Sequence, residues 1–174
     1  MEEYIVSLFN EVPQCIYIIL FLIFCVGCLI LIRLRVRNLG RMISKLLLFE
    51  YLFYIICSTL LFRTVDNDVY YNFKPFWSYS QSGLLIENIM NVIMFVPVGV
   101  LLGSSSSKMI MWKSLLFGGG LSIIIEVIQY YSKRGVAEFD DVMHNTMGCV
   151  IGFGVYFIMR YLYEKFSKRR MAVL

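Results

Sequence analysis

EVIQYYSKRGVAEFDDVMHNTMG, residues 126–148, gathers three kinds of charged and amide side chain between two strongly apolar runs. The flanking runs, Met111 to Tyr131 and Val142 to Tyr163, each reach the roughly 20 apolar residues a helix needs to cross a bilayer. The stretch therefore reads as the outer end of one membrane helix, a turn, and the start of the next. Three further runs fit the same template: Pro13 to Ile32, Leu46 to Phe62 and Leu84 to Leu102. With 59% hydrophobic residues and a mean hydropathy of +0.73, the chain is expected to be an all-α polytopic membrane protein. Five transmembrane helices in a single domain over residues 1–174 are predicted.

The first run reads as helix one, not a signal peptide. Glu2 and Glu3 replace a positive n-region, and Arg33, Arg35 and Arg37 stop transfer directly after it. Counting Lys and Arg by alternate sides puts twelve at one end of the bundle, from Arg33 to Lys45, at Lys108 and Lys113, and from Arg160 to Arg170. Only Arg63, Lys74, Lys133 and Arg134 fall at the other, four in all. This asymmetry predicts the N-terminus outside and the C-terminus in the cytoplasm. The net charge of +4 is thereby assigned to membrane headgroups and not to nucleic acid. The five cysteines all lie in predicted helices, so Cys25 and Cys28 are read as small apolar residues and not as a redox or metal pair. No metal or cofactor is expected, because His144 is the only histidine and lacks partners at ligand spacing.

The opening stretch is best explained by what it meets. Glu126 and Gln129 share a helical face, with Glu126 about 8 to 10 Å below the external end at 1.5 Å per residue. Asp141, Asn145, Gly148 and Gly152 form one stripe on the fifth helix. Asn88, Asn91, Phe95 and Gly99 form another on the third, entering from the same side. Ionisable groups at membrane depth turn towards the bundle interior or a cavity, so an outward-facing polar pocket is expected. Its proposed lining is Asn91, Gln129, Arg134 and Asn145, with Glu126 and Asp141 as candidate acid–base groups. Arg134 would pair with Glu126 or clamp an anion. Asp140 and Glu138 are read as solvated or capping charges. Hydrogen-bonded glue between helices is the competing reading; it suffices for Asn88 alone, but glue needs only one or two such groups.

Two packing features accompany the pocket. Gly148 and Gly152 allow another helix to approach closely, and Pro97 frees the carbonyl of Ile93. The external segment Arg63 to Gly83 carries six aromatic residues, and loops of that length usually have work to do. It reads either as an interfacial aromatic segment or as a lid.

The segments NFKPF (72–76), NVIMFVPVGVLLG (91–103) and EVIQYYSKRGVAEFDDVMHNTMGCVIG (126–152) together resemble the VanZ-like family of small bacterial membrane proteins. The resemblance runs from Arg63 to Gly154, leaving the first two helices outside or at its edge. It falls on Asn72, Pro75 and Phe76 in the loop, on Asn91, Phe95, Pro97 and Gly99, and on Glu126, Gln129, Arg134, Asp141, Asn145, Gly148 and Gly152. It implies a multi-pass protein of the bacterial plasma membrane that contributes to resistance to teicoplanin-type glycopeptides. The expected partners are the lipid bilayer and a lipoglycopeptide or lipid-linked cell-wall precursor. Two alternatives stay open: an intramembrane hydrolase or transferase acting on a lipid or polyprenyl headgroup, and a helical scaffold that docks a partner protein through the glycine stripe. Transport is disfavoured by the one-sided polar set and the lack of inverted repeats.

Overall fold

The computed structural model describes residues 14–33, 38–61, 71–77, 79, 86–106 and 110–171. The chain is helical because backbone polar groups in hydrocarbon must be satisfied within the segment itself. Among these residues five helices follow one another: α1 (Gln14–Arg33), α2 (Leu39–Ile56), α3 (Ile86–Ser105), α4 (Met111–Ser132) and α5 (Phe139–Met171). A π-helical turn, Cys57–Leu61, extends α2. Two-residue strands β1 (Tyr71–Asn72) and β2 (Ala137–Glu138) pair in parallel, Tyr71 with Ala137 and Asn72 with Glu138.

Among the described residues, four segments are long and apolar enough to span a bilayer: Leu39–Leu60, Ile86–Ser105, Met111–Ser132 and Phe139–Ser167. The apolar stretch Ile19–Ile32 lies in α1. Large apolar side chains on the helix exteriors, such as Leu29, Phe49 and Phe157, are exposed, as a lipid-facing surface requires. Two helices outrun the apolar runs that predicted them. α2 begins seven residues before Leu46, and α5 continues for 33 residues, about 50 Å against a hydrocarbon core of about 30 Å. Charged residues such as Arg41, Lys45 and Lys165 end a hydropathy run, but they do not end a helix that emerges into headgroups and water.

α3 lies at the centre, packed most extensively on α5 and then on α2. α4 packs on α5, and α1 touches α2. The core joins Ile55 and Leu60 with Phe95, Val98 and Leu102 of α3, Ile125 of α4 and Cys149 of α5. The α3–α5 contact is backbone to backbone. A Cβ added at Gly99 would strike the Cys149 carbonyl, and one at Gly148 or Gly152 would strike the carbonyl of Val92 or Val96. The glycine stripe that the scaffold reading offered to a partner protein is therefore covered by α3. Pro97 sits inside the continuous α3, and the Tyr51 hydroxyl donates to the Met94 carbonyl at 2.9 Å, beside the Ile93 carbonyl that the proline leaves without its helical donor.

Candidate functional site

The local structure of the opening stretch begins with the end of α4. Lys133 adopts a left-handed conformation with φ 57°. Arg134 N–H then donates to the Gln129 carbonyl at 3.1 Å, and Lys133 N–H to that of Tyr130 at 3.4 Å. This pair of bonds closes the helix as a Schellman motif, and Gly135 continues the turn at φ 122°. The closure directs Arg134 towards the end of α2, where its guanidinium Nη1 donates to the Leu60 carbonyl at 3.2 Å. One turn earlier, Gln129 Nε2 donates to the Thr59 carbonyl at 3.2 Å. The last carbonyls of a helix lack intrahelical donors, so these two side chains satisfy the end of α2. The cation also lies at the favourable end of the helix dipole. The Thr59 hydroxyl turns back to the Ile55 carbonyl at 2.7 Å, a side-chain bond of the kind that accompanies altered helical winding.

Beyond the turn, Glu138 N–H donates to Glu126 Oε2 at 3.0 Å, tying α4 to β2. Glu126 is buried, with 7% of its surface exposed. Asn91 Nδ2 donates to Asp141 Oδ1 at 2.7 Å, joining α3 to α5. Asn145 Nδ2 donates to Ser122 Oγ at 2.8 Å, joining α5 to α4. Four helices and the β2 turn thus meet at one end of the bundle through side chains that the sequence had placed on separate stripes.

The described part of the aromatic segment docks on the same end. Phe76 N–H donates to Asp140 Oδ1 at 2.7 Å, and the Tyr79 hydroxyl is hydrogen-bonded to His144 Nε2 at 2.6 Å. Tyr71 packs edge-on against Tyr130. Phe76 itself has φ 61°, a conformation that costs a residue with a Cβ about 1–2 kcal/mol. The carboxylate of Asp140, buried and accepting its N–H, helps to hold it there. The solvated reading of Asp140 is therefore corrected: the residue lies in the first turn of α5 but is 2% exposed, because it receives the loop backbone. Asn72 makes a local turn, accepting Lys74 N–H at 3.1 Å on Oδ1, while Pro75 lies exposed.

Several residues in this region escaped the sequence reading. Ser122 precedes Glu126 and Gln129 at i, i+4 and i+7, and with Ser114 and Gly118 it completes a buried small and polar stripe on α4. That periodicity was available to find it. Tyr79, Thr59 and the role of Asp140 depend on tertiary contact and left no periodic trace. Glu50 is a different omission: a carboxyl inside an apolar run is itself a signal, and it is buried along α2 with Oε1 lacking a hydrogen-bond partner.

Among the described residues, four other buried atoms lack partners, on the third and fifth helices and on Gln129: Asn88 Nδ2, Gln129 Oε1, His144 Nδ1 and Asn145 Oδ1. Each such atom costs about 1–3 kcal/mol if left unsatisfied. No group of three or more His, Cys, Asp or Glu placed to hold a metal ion occurs among the described residues.

The sequence profile of the VanZ/LLP1 family matches residues 15–160. The chain belongs to this family. The match takes in α1 and α2 as well as the stretch from Arg63 to Gly154 that carries the motifs. Protein VanZ of Enterococcus faecium is 30% identical over 128 residues, which cover 68% of this chain and 76% of that protein. No solved structure matches the chain. Family membership and the apolar helices make this VanZ-type chain a multi-pass protein of the bacterial plasma membrane. Its polar cluster gathers Asn91, Glu126, Gln129, Arg134, Asp141 and Asn145 at the end of the bundle where α4 turns into α5.

Proposed function

We propose that this VanZ-family protein contributes to resistance to teicoplanin-type glycopeptides, and that its polar cluster takes up a polar group of a lipid-linked or lipophilic ligand. The observation that carries the reading is the set of unsatisfied buried atoms on Asn88, Gln129, His144 and Asn145. Gln129 and Asn145 each donate one amide N–H to a neighbouring helix and keep the side-chain oxygen without a protein partner, an acceptor that a ligand hydroxyl or amide can use. The exposed rings of Tyr71, Phe73 and Phe76 beside the cluster suit stacking on a sugar or contact with an acyl chain. Arg134 supplies positive charge at the same end.

The enzymatic alternative asks Glu126 to move a proton. In the structure its Oε2 holds the Glu138 backbone N–H, a bond that the side-chain carbonyl oxygen of a glutamine would also accept. Glu126→Gln therefore spares a binding site and disables acid–base catalysis.

The test is susceptibility to lipidated and non-lipidated glycopeptides in cells expressing the wild type, Glu126→Gln, or Gln129→Ala with Asn145→Ala, at matched membrane abundance. The expected result is protection confined to lipidated compounds, kept by Glu126→Gln and lost by the double variant. Full protection by the double variant would return both amides to the role of interhelical glue.

A further inference from the structure

The described cavities lie at the opposite end of the bundle from the polar cluster. The larger, about 390 Å³, is bounded by Arg41 and Ser44 at the start of α2, Ser104 and Ser106 at the end of α3, and Tyr156 and Arg160 on α5. A second, about 240 Å³, shares Ser106, Tyr156 and Arg160 with the first and continues along α5 over Phe153, Phe157, Tyr161 and the carboxylate of Glu164. A chamber with two guanidinium groups and several hydroxyls thus opens into a groove of aromatic rings. The α2 N-terminus adds the positive end of a helix dipole. Asn38 gives that terminus no side-chain cap, and among the described residues a Cβ at Gly40 would meet nothing within 4 Å.

Arginine at such a position recognises phosphate through paired N–H donors. Arg160 currently donates to Glu164 at 2.9 Å, with both side chains about half-exposed at 49% and 53%. An exposed pair of this kind is weak, so it does not hold Arg160 against an anionic ligand that Arg41, on the same chamber wall, also attracts. The groove accounts for the rest of the ligand. Phe157 and Tyr161 are 62% and 60% exposed, within a segment apolar enough to span the bilayer. Free phosphate has no use for such a surface, whereas an acyl chain does.

We infer that the chamber between α2, α3 and α5 binds the phosphate headgroup of an anionic phospholipid from the leaflet at the basic end of the bundle, with an acyl chain laid along Phe157 and Tyr161. This site is separate from the polar cluster and does not depend on its function.

The experiment uses the purified full-length protein in neutral detergent, titrated with phosphatidylglycerol, phosphatidylcholine or inorganic phosphate, with retained lipid read by native mass spectrometry. Wild type is expected to retain phosphatidylglycerol about tenfold better than phosphatidylcholine, and Arg41→Gln with Arg160→Gln is expected to remove that preference. Phe157→Ala should weaken both lipids while leaving the preference in place. Lys45→Gln with Lys113→Gln removes equal charge at the same end outside the chamber, and should leave retention unchanged. Equal loss in that control would make the effect one of bulk charge and overturn the site. Unchanged preference in the arginine pair would overturn it directly. Displacement of the lipid by millimolar-range phosphate, together with indifference to Phe157→Ala, would assign the chamber to a free anion and overturn the lipid assignment.

Discussion

Asp140 shows how much one side chain does at the polar end of this protein. Its carboxylate receives the N–H of Phe76, 64 positions away in sequence, while its neighbour Asp141 receives the amide of Asn91. Adjacent acids thus face different elements, one the loop and one α3. A hydrogen bond to a charged group contributes about 1.5–3 kcal/mol, so Asp140→Ala should raise the exchange rate of the Phe76 amide by about tenfold or more. Asp140→Asn keeps an acceptor and should recover much of the protection. Hydrogen exchange read at residues 73–77 checks both, and unchanged protection in the alanine variant would place the anchor of the loop elsewhere. The sequence allowed Asp141 to be chosen over Asp140 because stripe membership is visible in periodicity. It could not reveal the Asp140 contact, since a partner on a distant loop leaves no period. His144, set aside as a metal ligand, proved to be the partner of Tyr79 for the same reason.

At the scale of elements, the helices were legible and their ends were not. Apolar run length locates a span, but charged residues do not end a helix that emerges into headgroups and water, which is why α2 and α5 extend past the runs. The glycines were legible as a stripe, and the structure supplies its partner. Gly99 on α3 faces Cys149 and Phe153, while Gly148 and Gly152 on α5 face Val92 and Val96. The obstacle to a side chain there is backbone, which cannot rotate away as a rotamer can. Gly152→Ala should therefore destabilise the bundle by about 3 kcal/mol or more. Gly154→Ala, only two residues on, meets nothing within 4 Å and should gain up to about 1 kcal/mol from helix propensity. Thermal unfolding of the two variants in one detergent tests the contrast. Similar melting temperatures would mean that α3 and α5 separate more readily than their contact implies.

At the scale of the whole molecule, the two ends of the bundle have different chemistry. One end carries buried amides and carboxylates tied to an aromatic loop, and the other carries arginines, serines and an aromatic groove. Twelve of the sixteen Lys and Arg residues belong by sequence to the second end. A charge bias of that kind sets orientation during insertion, so the polar cluster should face out and α5 should end in the cytoplasm. This sidedness matters to the proposed function, because a glycopeptide outside the cell reaches only an outward-facing cluster. It is tested in a cysteine-free background with Lys133→Cys, in the turn after α4, and Lys165→Cys, near the end of α5. A membrane-impermeant maleimide on intact cells should label the first position and not the second, and both should react after permeabilisation. The reverse pattern would put the amide cluster in the cytoplasm. It would leave the fold intact but remove the direct encounter with an external antibiotic, so that any contribution to resistance would have to pass through a lipid-linked precursor on the inner leaflet.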